Sequence, residues 1–172
     1  MKLNLGSGIN DIYALLATNP TNGDWKNIDI CAKYNPNECY DISTGIREKD
    51  NSIDEIWMGD FFEHLLRLKA KFVMQECFRV LEKGGKLRIS VPDMEVVMPI
   101  WLNGNEEEKF QMGRLIWGEQ DEKNQHNCIP DSHFYGYTES SLKQLILSCG
   151  FEQVNRISIH GLWFELAFEA FK

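Results

Sequence analysis

The sequence predicts an α/β fold built on one mainly parallel sheet. Three observations carry that reading. Short apolar runs of strand length alternate with segments of helical period. The first of these runs, Lys2–Leu5, passes straight into Gly6-Ser7-Gly8, a glycine turn that lets backbone N–H groups approach a ligand. The last two runs are joined around His160-Gly161, a connection too short for a parallel crossover, so they pair antiparallel.

Each element follows from its residues. Ile12, Leu15 and Leu16 predict a short helix over 9–17, broken by the Asn19-Pro20-Thr21-Asn22-Gly23 run. Strands are expected at 25–30, 38–42 and 53–58, and 59–68 is a loop leading into the clearest helix, 69–81. There Phe72, Val73, Cys77, Val80 and Leu81 share one face. Gly84-Gly85 reads as its C-terminal stop, and a strand over 86–91 is ended by Pro92. Two helices are expected over 95–102 and 106–117, the first carrying Val97, Ile100 and Trp101, the second Phe110, Leu115, Ile116 and Trp117. The stretch 118–137 is polar and long for a structureless loop, as functional or disordered loops are. Thr138 can cap a helix over 139–149 whose buried stripe is Leu142, Leu145 and Ile146. Gly150 ends it, Phe151 folds back on Ile146, and strands at 154–159 and 162–171 close the chain.

A chain of 172 residues without repeats or composition breaks reads as a single domain, 1–172, with 93–137 as a helical and loop cover. Its net charge of −8 argues against a phosphate-gripping nucleic-acid partner. Arg67, Lys69, Lys71, Arg79, Lys83, Lys86 and Arg88 cluster in sequence, but they fall on solvated helix and strand ends. Five scattered cysteines without a CxxC pair point to reduced thiols and a cytoplasmic setting. No metal site is expected, because His126, Cys128 and His133 lack a second tight pair of ligands. The first strand begins at once, so no leader is expected, and no apolar run is long enough for a membrane span.

Three strand ends carry the chemistry: Gly6 to Gly8, Asp29 and Asp41. Ligands of parallel α/β sheets bind at the carboxyl ends of strands. Asp29 follows Gly8 by 21 residues, the distance at which an acid accepts ribose hydroxyls; a plain surface acid is the alternative. The dinucleotide fingerprint wants a third glycine, and Asn10 or Asp11 stands near its place, so the loop is nucleotide-like without being a standard NAD loop.

With these motifs in place, the chain resembles a class I S-adenosylmethionine-dependent methyltransferase of the compact type 11-like branch. The matching stretches are LNLGSG at 3–8, WKNIDI at 25–30, YDI at 40–42, NSIDEIWMGDFFEHL at 51–65, ECFRVLEKGGKLRISVPD at 76–93 and HFYGYTESSLKQLILSCGF at 133–151. The resemblance implies a Rossmann-like sheet of seven strands, ordered 3-2-1-4-5-7-6 with strand 7 antiparallel and helices on both faces. It implies that Gly6, Ser7 and Gly8 cradle the methionine part of S-adenosyl-L-methionine, that Asp29 with Ile30 holds the ribose, and that Asp41 and Ile42 border the adenine. Gly59, Asp60 and the segment to His64 would lie beside the methyl. Asn4 stands where relatives often carry an acid, which would weaken the pull on the cofactor's ammonium. A DPPY-type tetrapeptide is missing, which counts against DNA or amide-nitrogen substrates.

Methyl transfer needs the nucleophile, methyl and sulfonium held in line, and a hydroxyl nucleophile gains from a general base. His133, His64 and Asp60 are the candidates for that proton work, with His126 a further histidine in the polar stretch. The expected function is methyl transfer to a small-molecule or sugar-like acceptor, with no nucleic-acid or membrane partner. A non-catalytic cofactor-binding regulator is the main alternative, and an NAD(P)-dependent oxidoreductase a weaker one.

Overall fold

The computed structural model describes residues 1–8, 25–119, 131–159 and 163–172. The expected helix over 9–17, His126, Cys128 and the His160-Gly161 connection lie outside them. The main sheet has seven strands: β1 (Lys2–Leu5), β2 (Trp25–Asp29), β3 (Glu38–Cys39), β4 (Ile53–Gly59), β5 (Leu81–Pro92) and, after a small two-stranded ribbon β6 (Gly118–Glu119) and β7 (Asp131–Ser132), β8 (Glu152–Ile157) and β9 (Glu165–Phe171). Their order is β3-β2-β1-β4-β5-β9-β8. The pairs β1–β2, β1–β4, β2–β3 and β4–β5 are parallel, and β9 runs antiparallel to both neighbours. With the ribbon set aside, this is the expected order 3-2-1-4-5-7-6.

One sheet face is the core. Leu3, Leu5, Ile28, Ile56, Met58, Leu87, Ile89 and Phe168 meet helices α1 (Arg67–Val80) and α4 (Glu139–Ser148). The α1 stripe is Ala70, Val73, Met74, Cys77 and Val80, spaced at i, i+3 and i+4. Phe72, expected in that stripe, stays 39 % exposed, because its register puts it at the helix edge. The other face carries Trp57, Ala167 and Ile159, with a ladder of ions where β1, β4, β5 and β9 run side by side. Glu55 there is held by Lys2 at 3.1 Å and Arg88 at 3.2 Å, and Arg88 also meets Glu169 at 3.1 Å. Helices on both faces were expected; the predicted helix concerned lies outside the described residues.

Several boundaries differ from the sequence reading, two of them with consequences. Helix α1 ends at Val80 and the chain enters β5 at once, Leu81 pairing with Ile53. Gly84-Gly85 is therefore no helix cap. It receives the chain end, with Gly84 N donating to Lys172 O (2.8 Å) and Lys172 N to Gly85 O (3.1 Å). Strand β3 stops at Cys39, because Asp41 caps a single 3₁₀ turn, Ile42–Thr44, through Ser43 N. Thr138 caps α4 as expected, with Ser141 completing a capping box.

The excursion between β5 and α4 leaves and returns at one point. Asp93 caps α2 (Met94–Asn103), and Met94 N donates to Tyr137 O at 3.0 Å. Helix α3 (Glu106–Trp117) opens on an Asn105–Glu108 capping box and packs on α2 through an edge-on Trp101–Trp117 pair. Asp93, 1 % exposed, is also paired with Arg156 at 2.9 Å. Among the described residues no helix is long and apolar enough to cross a membrane. Cys39, Cys77 and Cys149 are free thiols, but Cys31 is disulfide-bonded, which corrects the expectation of reduced cysteines throughout.

Candidate functional site

The site lies where strand order turns back, outside the ends of β1 and β4. Gly6 leaves β1 with φ +67, and its N–H and that of Ser7 both donate to Ile28 O, at 2.9 and 3.2 Å. A Cβ on Gly6 would lie inside the Phe61 ring, so only glycine closes this turn. Gly8 N donates to Asp29 Oδ2 at 2.8 Å, and Cys31 N donates to Asp29 Oδ1 at 2.8 Å. One buried carboxylate thus ties the glycine turn to the turn after β2. A carboxylate offers about four acceptor positions, so Asp29 keeps capacity toward the cleft it lines.

The opposite wall starts where β4 ends at Gly59. Asp60 sits in the left-handed region at φ +47, its N–H held by Ser90 O at 3.1 Å. Non-glycine residues in that region cluster at functional sites. The Asp60 carboxyl lies 3.4 Å from Ser90 Oγ and shares a hydrogen bond with Glu165. Burial pushes Glu165 up to about 10, reinforced by the negative charge of Asp60 and the Asp60 hydrogen bond. Desolvation of its carboxyl raises Asp60 as well, although the residue as a whole is exposed. At neutral pH, Glu165 therefore holds a proton against Asp60.

Between the walls is a cleft of ≈ 360 Å³, within the usual small-molecule range. Gly6, Gly8, Asp29, Ile30, Asp41, Ile42, Asp60 and His64, the residues expected to hold the cofactor, line it together. Ser7 is wholly buried and Gly59 ends β4, and neither lines it. His133 stands behind His64, ring centroids 4.7 Å apart and edge-on. Asn4 is also buried; its amide donates to Asn27 Oδ1 at 3.0 Å and does not reach the cleft. Phe61 falls in the segment to His64 and Phe134 in the cover, both expected at the site; the lining residues the sequence reading did not place there are Cys31, Tyr34, Tyr40, Ser43, Leu65, Leu66 and Lys69. The apolar pair Leu65-Leu66 right after the expected segment was the available signal for those two.

Comparison with known proteins gives the family and the fold. The profile described as methyltransferase domain, of the type 11 branch, matches residues 3–89, just over half of the chain, so the chain belongs to that family. S-adenosylmethionine is the cofactor of this class. No curated protein matches in sequence. Among solved structures, a SAM-dependent methyltransferase from Archaeoglobus fulgidus superposes with TM-score 0.65 at 13 % identity, over 99 % of this chain and 85 % of that one. A SAM-dependent methyltransferase from Methanosarcina mazei gives 0.64 at 15 % identity, over 99 % and 91 %. A possible histamine N-methyltransferase from Thermotoga maritima gives 0.58 at 16 % identity, over 99 % and 81 %. At these identities the likeness is one of fold. The residues present fit the cofactor: Gly8 offers bare backbone to open space at the cleft, its nearest neighbour for a Cβ being Gly6 O at 4.0 Å, and Asp29 lines the cleft with acceptor capacity left.

Proposed function

We propose that this protein is an active methyltransferase that methylates a small-molecule or sugar-like acceptor. The observation that carries the reading is one cleft lined together by the glycine turn, Asp29, Asp60, His64 and the apolar side chains of Phe61, Leu65 and Phe134. S-adenosylmethionine supplies an electrophilic methyl group when bound. Gly6 and Gly8 would hold its methionine part, Asp29 and Ile30 its ribose, and Asp41 with Ile42 its adenine. Positioning of this kind can account for about 7–11 kcal/mol of barrier in favourable cases.

Proton work falls to the residues at the cleft. Asp60 stands exposed at the cleft with its carboxyl partly desolvated against Ser90 and Glu165, which raises it, and it takes the proton of an acceptor hydroxyl. Glu165, already protonated, donates its hydrogen bond to Asp60 and so keeps a second charge out of the site. His64 orients the acceptor, and His133 braces His64 from behind. The excursion 93–137 serves as the cover through Phe134, which lines the cleft. The non-catalytic alternative leaned on Asn4, which turns to Asn27 instead of the cleft.

The test is release of S-adenosylhomocysteine over a panel of hydroxyl, amine and thiol acceptors. Asp60→Asn is expected to lower kcat about 10²–10⁴-fold, the usual worth of a general base, with S-adenosylhomocysteine still bound. Undiminished turnover in that variant would remove Asp60 from the chemistry.

A further inference from the structure

Glu63, His64 and His133 each bring one potential ligand atom within 4.8 Å of the others. Glu63 is 2 % exposed and both histidines are half-buried. The two rings are held in the same way: His64 Nδ1 lies 3.1 Å from Ser132 O, and His133 Nδ1 lies 2.9 Å from Leu115 O. A carbonyl only accepts, so each neutral ring carries its proton on Nδ1 and keeps its lone pair on Nε2. That second hydrogen bond is what orients histidines that ligate metals. The backbone joins the two segments as well. Glu63 O accepts from Phe134 N at 2.8 Å and Tyr135 N at 3.3 Å, and His133 N donates to Trp117 O at 3.2 Å.

We propose that Glu63, His64 and His133 form a binding site for a divalent transition-metal ion, with zinc the best match. Two imidazoles and one carboxylate make three protein ligands with a fourth position open, the pattern of reactive and not structural zinc. Mixed nitrogen and oxygen donors favour zinc, iron(II) or cobalt(II) over magnesium or calcium. Bonds of about 2.0–2.2 Å put tetrahedral neighbours about 3.3 Å apart, so the widest pair, now at most 4.8 Å, closes by about 1.5 Å on loading. His64 is the member that lines the cleft, so the open position faces the acceptor end. An acceptor hydroxyl bound there loses its proton more readily. That role rests on the methyltransferase reading; the site itself does not.

Calorimetry of the metal-free full chain with zinc chloride, and visible absorption with cobalt(II), test the site. One ion per chain is expected, with ligand-field bands of a low-coordinate nitrogen and oxygen site. Losing even an outer partner of a metal ligand costs about 10–100-fold in affinity, so Glu63→Gln, His64→Gln and His133→Gln should each weaken zinc by more than about 100-fold. The unaltered chain gives a readout free of folding defects: zinc should raise its thermal midpoint. No zinc binding, an unmoved midpoint, or binding that survives all three replacements would overturn the site. S-adenosylhomocysteine binding, measured separately, shows which reading has failed: its absence beside intact zinc binding strikes the cofactor assignment and leaves the metal site standing.

Discussion

Asp29 Oδ2 accepts a 2.8 Å hydrogen bond from the amide of Gly8, 21 residues earlier in the chain. Its other oxygen accepts from Cys31 N. The acid expected to serve the cofactor alone is also the tie between two turns of the cleft floor. A ligand can meet rigid backbone there because this carboxylate has already fixed it.

Asp29→Ala therefore has two expected effects. Two backbone amides lose their acceptor near a buried edge, at about 1–3 kcal/mol, so the thermal midpoint falls. Binding of S-adenosylhomocysteine weakens as well, through the lost ribose contact and the loosened turn. Thermal melts and calorimetry on the same sample separate the two. A stable variant that binds normally would show Asp29 to be idle at both tasks.

Gly6→Ala tests the turn itself. Its φ of +67 costs an L-residue about 1–3 kcal/mol, and the new methyl would meet the Phe61 ring. The expected outcome is a lower thermal midpoint with cofactor binding lost or sharply reduced. Gly84→Ala is the control: it too has positive φ, but its Cβ would meet nothing within 4 Å and it lies away from the cleft. That variant should pay the backbone cost and keep binding.

Glu165 makes stability depend on pH with a definite sign. Burial and the Asp60 charge lift it to about 10 from the ordinary 4.5. The folded chain then holds a proton that the unfolded chain releases across that window. This contribution is complete below about 4.5 and is lost as pH rises toward about 10. One proton gives a slope of at most about 1.4 kcal/mol per pH unit. Glu165→Gln keeps the volume and cannot ionise, so its stability should fall less from neutral to alkaline pH than that of the unaltered chain. Parallel pH profiles of the two would place the titration elsewhere.

The sequence made the strand ends legible because their chemistry is local. A glycine turn at Gly6 and an acid at Asp29 announce themselves by residue type and spacing, and both line the cleft. Gly84-Gly85 misled because a glycine pair after a helical run looks like a cap; only the Leu81–Ile53 pairing, a tertiary fact, shows the strand already begun. Leu65 and Leu66 escaped notice as site residues because a loop has no period to read. The meeting of His64 with His133 depends on Glu63 O gripping the Phe134 and Tyr135 amides, which no spacing in the chain reveals.

Calorimetry with S-adenosylhomocysteine tests most directly whether the cleft is built for S-adenosylmethionine. The predicted result is saturable binding by the unaltered chain, weakened in Gly6→Ala and Asp29→Ala, with no comparable binding of NAD. Binding of NAD in place of S-adenosylhomocysteine, or identical binding in all three chains, would contradict it.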